Sequence, residues 1–199
     1  DGMNQLAQVA PGVRLVPAGT PGGGSAQKLP VAGRWAAPLC GWPRETVAGV
    51  GLQPFANLRG DGAVYHTGQD LGACMDGAGY HALADGVVRF VHCGSDMGTL
   101  IVVAHRRTAK ELVNAVYMHG GAIVFVAAGE KVEAGQLLGS MGLSYSIENG
   151  GHFAHLHLGL YPGDFTVTHN YGYKPVKDGL ADWLDPAKVL PGWIGTEGG

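Results

Sequence analysis

Two short motifs place residues that bind metal ions on the same face of an extended chain. His66 and Asp70 are four residues apart as the sequence enters an apolar run, and residues two or four apart in a strand point to one side of a sheet. His155 and His157 flank Leu156, so a strand here turns both imidazoles to one face and the leucine into the core. Each motif alone is also typical of a chance surface pair or of structural histidines.

Together the two motifs supply imidazoles and a carboxylate. Two neighbouring imidazoles destabilise each other if both become protonated, and a bound divalent cation removes that cost by holding them neutral. Catalytic zinc sites use three nitrogen or oxygen ligands from the protein and leave the fourth position to water. The residue types therefore fit a zinc site, provided that the fold brings the motifs together.

The segments around these motifs have the length and composition of β-strands. Runs rich in Val, Ile, Leu and Tyr recur between Gly, Asp and Asn clusters that suit tight turns. These runs cover residues 64–73, 86–92, 100–105, 115–119, 122–126, 137–141 and 155–161. Helices are predicted only at 107–113 and around 180–190, the latter interrupted by Pro186. Long helices do not alternate with the strands, so we predict a mainly β fold, an antiparallel sheet in a barrel or sandwich with few short helices.

Gly and Pro divide the chain into three parts. Residues 1–33 are predicted to be an N-terminal extension, because Pro and Gly interrupt each apolar stretch before it reaches the length of a strand or helix. Residues 34–191 are predicted to form one domain, and residues 192–199 a flexible C-terminal tail.

The composition excludes several classes of protein. The chain has 199 residues, 35 of them Gly, with 46% hydrophobic residues, 15% charged residues and a net charge of -3. It is too apolar for a disordered chain, too aperiodic in Gly for collagen and too weakly charged for a coiled coil. The charge predicts no nucleic-acid partner, and no apolar run approaches the roughly 18 residues of a membrane span. Cys40, Cys74 and Cys93 lack metal-type spacing, and the sequence is compatible with one disulfide or with three thiols.

Five ordered motifs give the chain a resemblance to a known family. They are His66-Thr67-Gly68-Gln69-Asp70, Ala84-Asp85-Gly86-Val87-Val88, Tyr117-Met118-His119, Val132-Glu133-Ala134-Gly135-Gln136-Leu137-Leu138-Gly139 and His155-Leu156-His157. Their order and approximate spacing, within a match from about Trp35 to Leu190, resemble the lysostaphin/LytM-type zinc metallopeptidases. Members of that family hydrolyse peptide bonds in the stems or cross-bridges of peptidoglycan, on a β-rich fold of the duplicated-hybrid-motif type.

The resemblance implies a role for each of five residues. It implies that His66, Asp70 and His157 bind one zinc ion per chain. His119 and His155 are then the catalytic histidines beside the zinc-activated water, one taking its proton and the other hydrogen-bonding the oxyanion, in an order that the sequence leaves open. The resemblance also implies peptidoglycan peptides as the substrate and a location outside the cytoplasmic membrane, extracellular or periplasmic.

The chain departs from the family pattern in two places. A Gly-Gly pair at 120–121 follows His119, where the family usually has an apolar residue such as Leu. The loop at 144–154 carries His152 and Glu148. These differences predict a changed pocket wall and bear on substrate preference more than on catalysis.

Two other functions are weighed against the peptidase. A catalytically inactive LytM-like domain would bind cell wall or activate another hydrolase, but here all five expected positions are filled. A carrier or phosphotransfer module would explain the hairpin-like segment 129–136, but it has no use for the full set of histidines and aspartate.

Overall fold

Antiparallel β-strands make up most of the regular structure of the chain. The computed structural model describes residues 29–41, 52–60, 62–72, 75–95, 97–163 and 172–194. The strands in these ranges are β1 (Leu58–Arg59), β2 (Val64–His66), β3 (Gly68–Leu71), β4 (Gly79–His81), β5 (Gly86–Ser95), β6 (Gly98–Thr108), β7 (Glu111–Val124), β8 (Lys131–Val132), β9 (Leu137–Met141), β10 (Leu156–Pro162) and β11 (Tyr173–Pro175). The helix α1 spans Pro186–Trp193, and short 3₁₀ helices span Ile147–Asn149 and Val176–Asp178.

The strands form one large and one small sheet. The large sheet has the order β3-β10-β7-β6-β5-β8, and β9 pairs with both β4 and β7. The small sheet has the order β1-β2-β11. The pairings between named strands are antiparallel. The predicted mainly β, antiparallel fold with few short helices is therefore confirmed.

The register of three pairings brings the two histidine motifs together. In the large sheet, β10 lies between β3 and β7, so His157 is opposite Asp70 on one side and Met118 on the other. His66 ends β2 in the small sheet, where Tyr173 is its partner, and β3 begins two residues later in the large sheet. The chain thus changes sheets between His66 and Asp70, and the site lies at that junction.

Alternation along β10 separates core from site. Leu156, Leu158 and Leu160 are fully buried in the main hydrophobic cluster. His157 follows the opposite face, as expected for side chains that alternate along a strand. The prediction that Leu156 points into the core is confirmed, and this burial fixes the side of the sheet that carries the imidazoles.

The predicted helix at 107–113 is wrong. Strand β6 continues to Thr108, β7 begins at Glu111, and these two residues are partners across a tight turn. Arg107 and Glu111 form an ion pair four residues apart, a spacing that also suits one face of a helix. The spacing of these two charges is compatible with a helix or with a hairpin, and the pairing of β6 with β7 makes the segment a hairpin.

Other strand and helix limits also differ from prediction. The predicted strand at 115–119 and most of the one at 122–126 belong to one strand, β7, which ends at Val124. Pro186 begins α1 rather than interrupting a helix, and the Asp185 side chain caps this end by accepting a hydrogen bond from Ala187 N–H at 3.1 Å. Proline suits the first helical turn because its missing N–H would have no partner there.

The ends of the domain are only partly described. Leu29 and Ala32 are buried, and Ala32 N–H donates to Arg106 O at 2.8 Å. Residues 1–28 and 195–199 lie outside the described ranges, so the predicted limits of the extension and the tail stay predictions. Cys40 and Cys93 are free thiols, and Cys74 lies outside the described residues. In the ranges that are described, no helix is both long and apolar enough to cross a membrane.

Burial of His105 leads to a prediction about acid stability. The side chain is fully buried, its Nδ1–H donates to Asp85 O at 3.2 Å, and its Nε2 has no hydrogen-bond partner in the described structure. Burial lowers the pKa of His105 to about 4. Because the unfolded chain binds this proton near pH 6.5, acidification from pH 6.5 to 4 favours unfolding, by up to about 3 kcal/mol from this residue.

Urea unfolding of the native chain and of His105→Asn at a series of pH values tests this prediction. Asn keeps an amide donor for Asp85 but does not titrate. We expect the native free energy of unfolding to fall more steeply than that of His105→Asn between pH 6.5 and 4. Parallel curves over this range would show that His105 is not the group responsible.

Candidate metal and catalytic site

A cleft of about 640 Å³ lies where the small sheet meets the large one. All five residues singled out from the sequence line this cleft: His66, Asp70, His119, His155 and His157. They come from β2, β3, β7, β10 and the residue before β10. The fold thus brings together residues that are up to 91 positions apart in sequence.

Three of these residues form a compact, buried cluster. One ligand-type atom from each of His66, Asp70 and His157 lies within 4.8 Å of the other two. His66 Nε2 is 2.8 Å from His157 Nδ1 and 3.2 Å from Asp70 Oδ1, which is itself 3.4 Å from His157 Nδ1. The three residues are only 1%, 3% and 1% exposed. Their donor atoms therefore converge on one point that is shielded from bulk water.

Gln53 and Pro54 orient the cluster. A carbonyl oxygen only accepts hydrogen bonds, so the 3.0 Å contact between Pro54 O and His66 Nδ1 places the proton of His66 on Nδ1. Nε2 of His66 then directs a lone pair toward His157 and Asp70. Gln53 N–H donates to Asp70 Oδ2 at 3.1 Å, which leaves Oδ1 facing the imidazoles.

The unsatisfied groups of the cluster match the needs of a zinc ion. Asp70 Oδ1 is buried and accepts no hydrogen bond from the described residues. Burial raises the pKa of Asp70, but contacts with His157 and His66 outweigh burial and lower that pKa well below its usual range. Burial lowers the pKa of His157 to about 4. A carboxylate and imidazoles whose ring nitrogens converge on one point are typical zinc ligands, so these residues fit the ion.

His155 lies beside the cluster with a defined tautomer. Its Nδ1–H donates to Phe153 O at 2.8 Å, so Nε2 carries the lone pair. That Nε2 is 3.6 Å from Asp70 Oδ1. Burial lowers the pKa of His155 below that of a free imidazole. His155 is therefore neutral at pH 7, with a proton acceptor directed at the cluster.

His119 completes the group in a strained backbone conformation. Its φ angle is 64°, a region that non-glycine residues rarely adopt. Hydrogen bonds hold this conformation: His119 N–H donates to Met97 O at 2.9 Å, and Gly142 N–H donates to His119 O at 3.0 Å. The His119 ring centre is 4.4 Å from that of His155. Strain that the surroundings maintain is common in functional sites, and here it directs the ring into the cleft.

Two glycines near the site have no room for a side chain. A Cβ at Gly68 would lie 2.6 Å from His157 Nε2 and from Leu158 O. A Cβ at Gly120 would lie 2.6 Å from the hydroxyl oxygen of Tyr80. The second contact explains the departure from the family pattern after His119, because Tyr80 fills the space that a larger residue would need.

The loop before β10 supplies the His119 side of the cleft. The His152 ring centre is 4.4 Å from that of His119, and Tyr145 is exposed at the rim. Both residues line the cleft, together with Gly150 and Gly151. The predicted change of the pocket wall therefore involves His152 directly, whereas Glu148 does not line the cleft.

Several residues of the site were not found from the sequence. Gln53, Pro54 and Phe153 act through backbone groups, for which side-chain patterns carry no signal. Tyr173 lies on β11 opposite His66, and their ring centres are 5.4 Å apart. At three residues, β11 is too short for a strand pattern to stand out in the sequence.

Comparison with known proteins places the chain in a family. Residues 64–169 match the profile of peptidase family M23, which is more than half of the chain and includes all five clustered residues. The fold and this match define a protein of the peptidase class. The chain belongs to peptidase family M23. No curated protein sequence matches it significantly.

Several solved structures are similar to this chain. The catalytic domain of the antimicrobial peptidase lysostaphin from Staphylococcus simulans is 21% identical, over 70% of this chain and 90% of that chain, with a TM-score of 0.48. For a longer lysostaphin structure from the same organism, the match is 20% identical and covers 71% of this chain but 49% of that chain, with a TM-score of 0.48. A zinc-containing peptidase from Vibrio cholerae is 24% identical, over 55% of this chain and 31% of that chain, with a TM-score of 0.43.

Proposed function

We propose that this chain is a zinc-dependent endopeptidase that hydrolyses peptide bonds of bacterial peptidoglycan, in the stem or the cross-bridge. The observation that carries the proposal is the buried His66, Asp70 and His157 cluster, whose ligand atoms lie within 4.8 Å of one another beside two further histidines. Membership of peptidase family M23 supports the same reaction class. We further propose that residues 34–191 form the catalytic domain.

The proposed roles follow from the atoms that face the cleft. His66 Nε2, Asp70 Oδ1 and His157 Nδ1 would hold one zinc ion. When bound, zinc supplies Lewis acidity and lowers the pKa of a water molecule to about 7. The lone pair on His155 Nε2 accepts a proton from the attacking water and returns it to the leaving amine.

His119 is proposed to stabilise the negative charge that develops on the substrate carbonyl oxygen. Its Nδ1 is buried and has no hydrogen-bond partner among the described residues, so the neutral ring favours the tautomer with the proton on Nε2. A donor that is already oriented stabilises an oxyanion without reorganisation during the reaction. The positive φ angle of His119 maintains this orientation.

Peptidoglycan lies outside the cytoplasmic membrane, so the proposal requires an extracellular or periplasmic location. This location rests on the proposed substrate. Detection of the native protein in culture medium or periplasmic extract, and its absence from spheroplasts, is the expected outcome.

Metal analysis and digestion of purified peptidoglycan test the proposed function together. We expect about one zinc ion per chain in the native protein and loss of that zinc in His157→Ala, because a cluster that lacks one of three ligands binds far more weakly. The zinc-loaded native protein should release new amino groups from peptidoglycan, and the new termini identify the bond that is cut. His92→Ala, which changes a histidine outside the cleft, should keep both zinc and activity.

Two results would contradict the proposal. Zinc content that does not change in His157→Ala would place the metal elsewhere. A zinc-loaded protein that binds peptidoglycan but releases no amino groups from any peptidoglycan chemotype would instead support the inactive, wall-binding alternative.

A further inference from the structure

Arg59 gives the cleft a permanent positive charge away from the metal cluster. Apart from the histidines and two tyrosines, Arg59 and Asp70 are the only ionisable side chains among the described residues that line the cleft. Asp70 belongs to the metal cluster, so it does not neutralise Arg59. One end of the cleft is therefore cationic at any pH at which the protein is folded, because arginine does not lose its proton in proteins.

Neighbouring side chains hold the Arg59 guanidinium in place. Arg59 Nη1 donates to the Tyr173 hydroxyl at 3.2 Å, and Cζ lies 5.6 Å from the centre of the Tyr173 ring. The Tyr173 hydroxyl donates to Gln53 Oε1 at 3.3 Å. Gln53 is also the residue whose N–H binds Asp70. Arg59 is thus connected to the metal cluster through oriented contacts, which reduces the entropy lost when it binds a ligand.

The described residues leave most of the hydrogen-bonding capacity of Arg59 unused. A guanidinium has five N–H donors, and Tyr173 accepts from one of them. Within the described ranges, Arg59 forms no ion pair with a carboxylate. The planar donor pair of arginine matches a carboxylate in a bidentate arrangement.

We propose that Arg59 is a specificity-determining residue that binds a free carboxylate of the substrate peptide. This inference rests on the proposed function and deepens it. The preferred substrate is then a peptidoglycan stem peptide that carries a free carboxylate, rather than a neutral oligoglycine cross-bridge, which offers Arg59 no partner.

The geometry also indicates where that carboxylate lies along the peptide. The Tyr173 ring separates Arg59 from the cluster, with its centre 5.6 Å from Arg59 Cζ and 5.4 Å from the His66 ring centre. The guanidinium is therefore at most about 11 Å from His66, or about three residues of extended peptide at roughly 3.5 Å each. The carboxylate is expected within about three residues of the bond that is cut.

A matched pair of substrates tests the proposal. The pair consists of two synthetic stem peptides that are identical except that one carboxylate is free in the first and is a carboxamide in the second. With the zinc-loaded native protein, we expect kcat/KM to be about 10- to 100-fold higher for the free acid, the range for a hydrogen-bonded charge pair. Arg59→Gln should lower this ratio to near 1, because it removes the group that distinguishes the two peptides.

Two further variants sharpen the test. Arg59→Lys keeps the charge but loses the bidentate geometry, so an intermediate ratio is expected. Lys131→Gln removes one exposed positive charge outside the cleft and should keep the native ratio. A native ratio near 1, or an Arg59→Gln ratio equal to the native one, would overturn the proposal while leaving the proposed function intact.

Binding to the zinc-free protein separates failure of this proposal from failure of the proposed function. Fluorescence anisotropy of the two labelled peptides measures binding without catalysis. Suppose that the zinc-loaded protein cuts neither peptide. If the native protein then binds the free acid more tightly than the amide, and Arg59→Gln loses this preference, the result supports the carboxylate subsite and counts against the peptidase. Equal binding of both peptides, without cleavage, overturns both.

Discussion

Gly68→Ala is expected to weaken zinc binding at the cluster strongly, although it changes none of the proposed ligands. The added Cβ would lie 2.6 Å from His157 Nε2 and 2.6 Å from Leu158 O. The Leu158 oxygen belongs to the backbone of β10, so relief of that contact shifts the pairing of β10 with β3, and relief of the other contact moves the His157 ring. We expect zinc affinity to fall by at least about 100-fold, the upper range for loss of a group that orients a ligand. Competition with a fluorescent zinc chelator measures the change.

Gly159→Ala is the matched control for this prediction. Gly159 is the strand partner of Gly68, and a Cβ there would lie 2.8 Å from Trp183 rather than against a ligand. Both variants are expected to lose about 1 to 3 kcal/mol of stability through overcrowding, but only Gly68→Ala should lose zinc. Equal zinc affinity in the two variants would show that Gly68 does not position His157. Thermal unfolding of the zinc-free proteins checks that both are folded.

The residues of the cleft could be predicted because their spacing matches strand periodicity. His155-Leu156-His157 alternates between core and site, and burial of Leu156 in the structure leaves only one face for the histidines. The sequence predicts that His66 and Asp70 share one face of a single strand, but the structure brings them together in another way. They lie on strands of two sheets, and the chain changes sheets between them.

The groups that orient the site could not be predicted, because they act through backbone atoms. Pro54 O, Phe153 O and Gln53 N–H set the tautomers of two histidines and the direction of one carboxylate. No residue type is required for a carbonyl or an N–H group, so the sequence carries no signal for them. The wrong helix at 107–113 has a different cause, because β6 and β7 pair as a hairpin through this segment and that pairing outweighs a local charge spacing.

The two histidines proposed to be catalytic, His119 and His155, should be separable by the pH dependence of their variants. His155→Ala is expected to lower kcat by about 10²- to 10⁴-fold, the usual contribution of a general base. Zinc content should stay at one per chain, since the proposed ligands are unchanged. Because a base must be unprotonated and burial lowers the pKa of His155, activity of the native protein should fall only at pH values below about 6.5. This acid limb of the kcat/KM profile should be absent in His155→Ala.

His119→Ala gives the contrasting result if the roles are as proposed. It should lower kcat by about 10²- to 10³-fold, as expected for loss of one oxyanion donor, but the acid limb should remain because His155 still titrates. The measurement is a pH series of peptidoglycan digestion with each zinc-loaded variant. An acid limb that persists in His155→Ala and vanishes in His119→Ala would exchange the two roles, since the group that must lose its proton would then be His119. Loss of zinc from either variant would instead make that histidine a ligand, a role that the 3.6 Å separation of His155 Nε2 from Asp70 Oδ1 also allows.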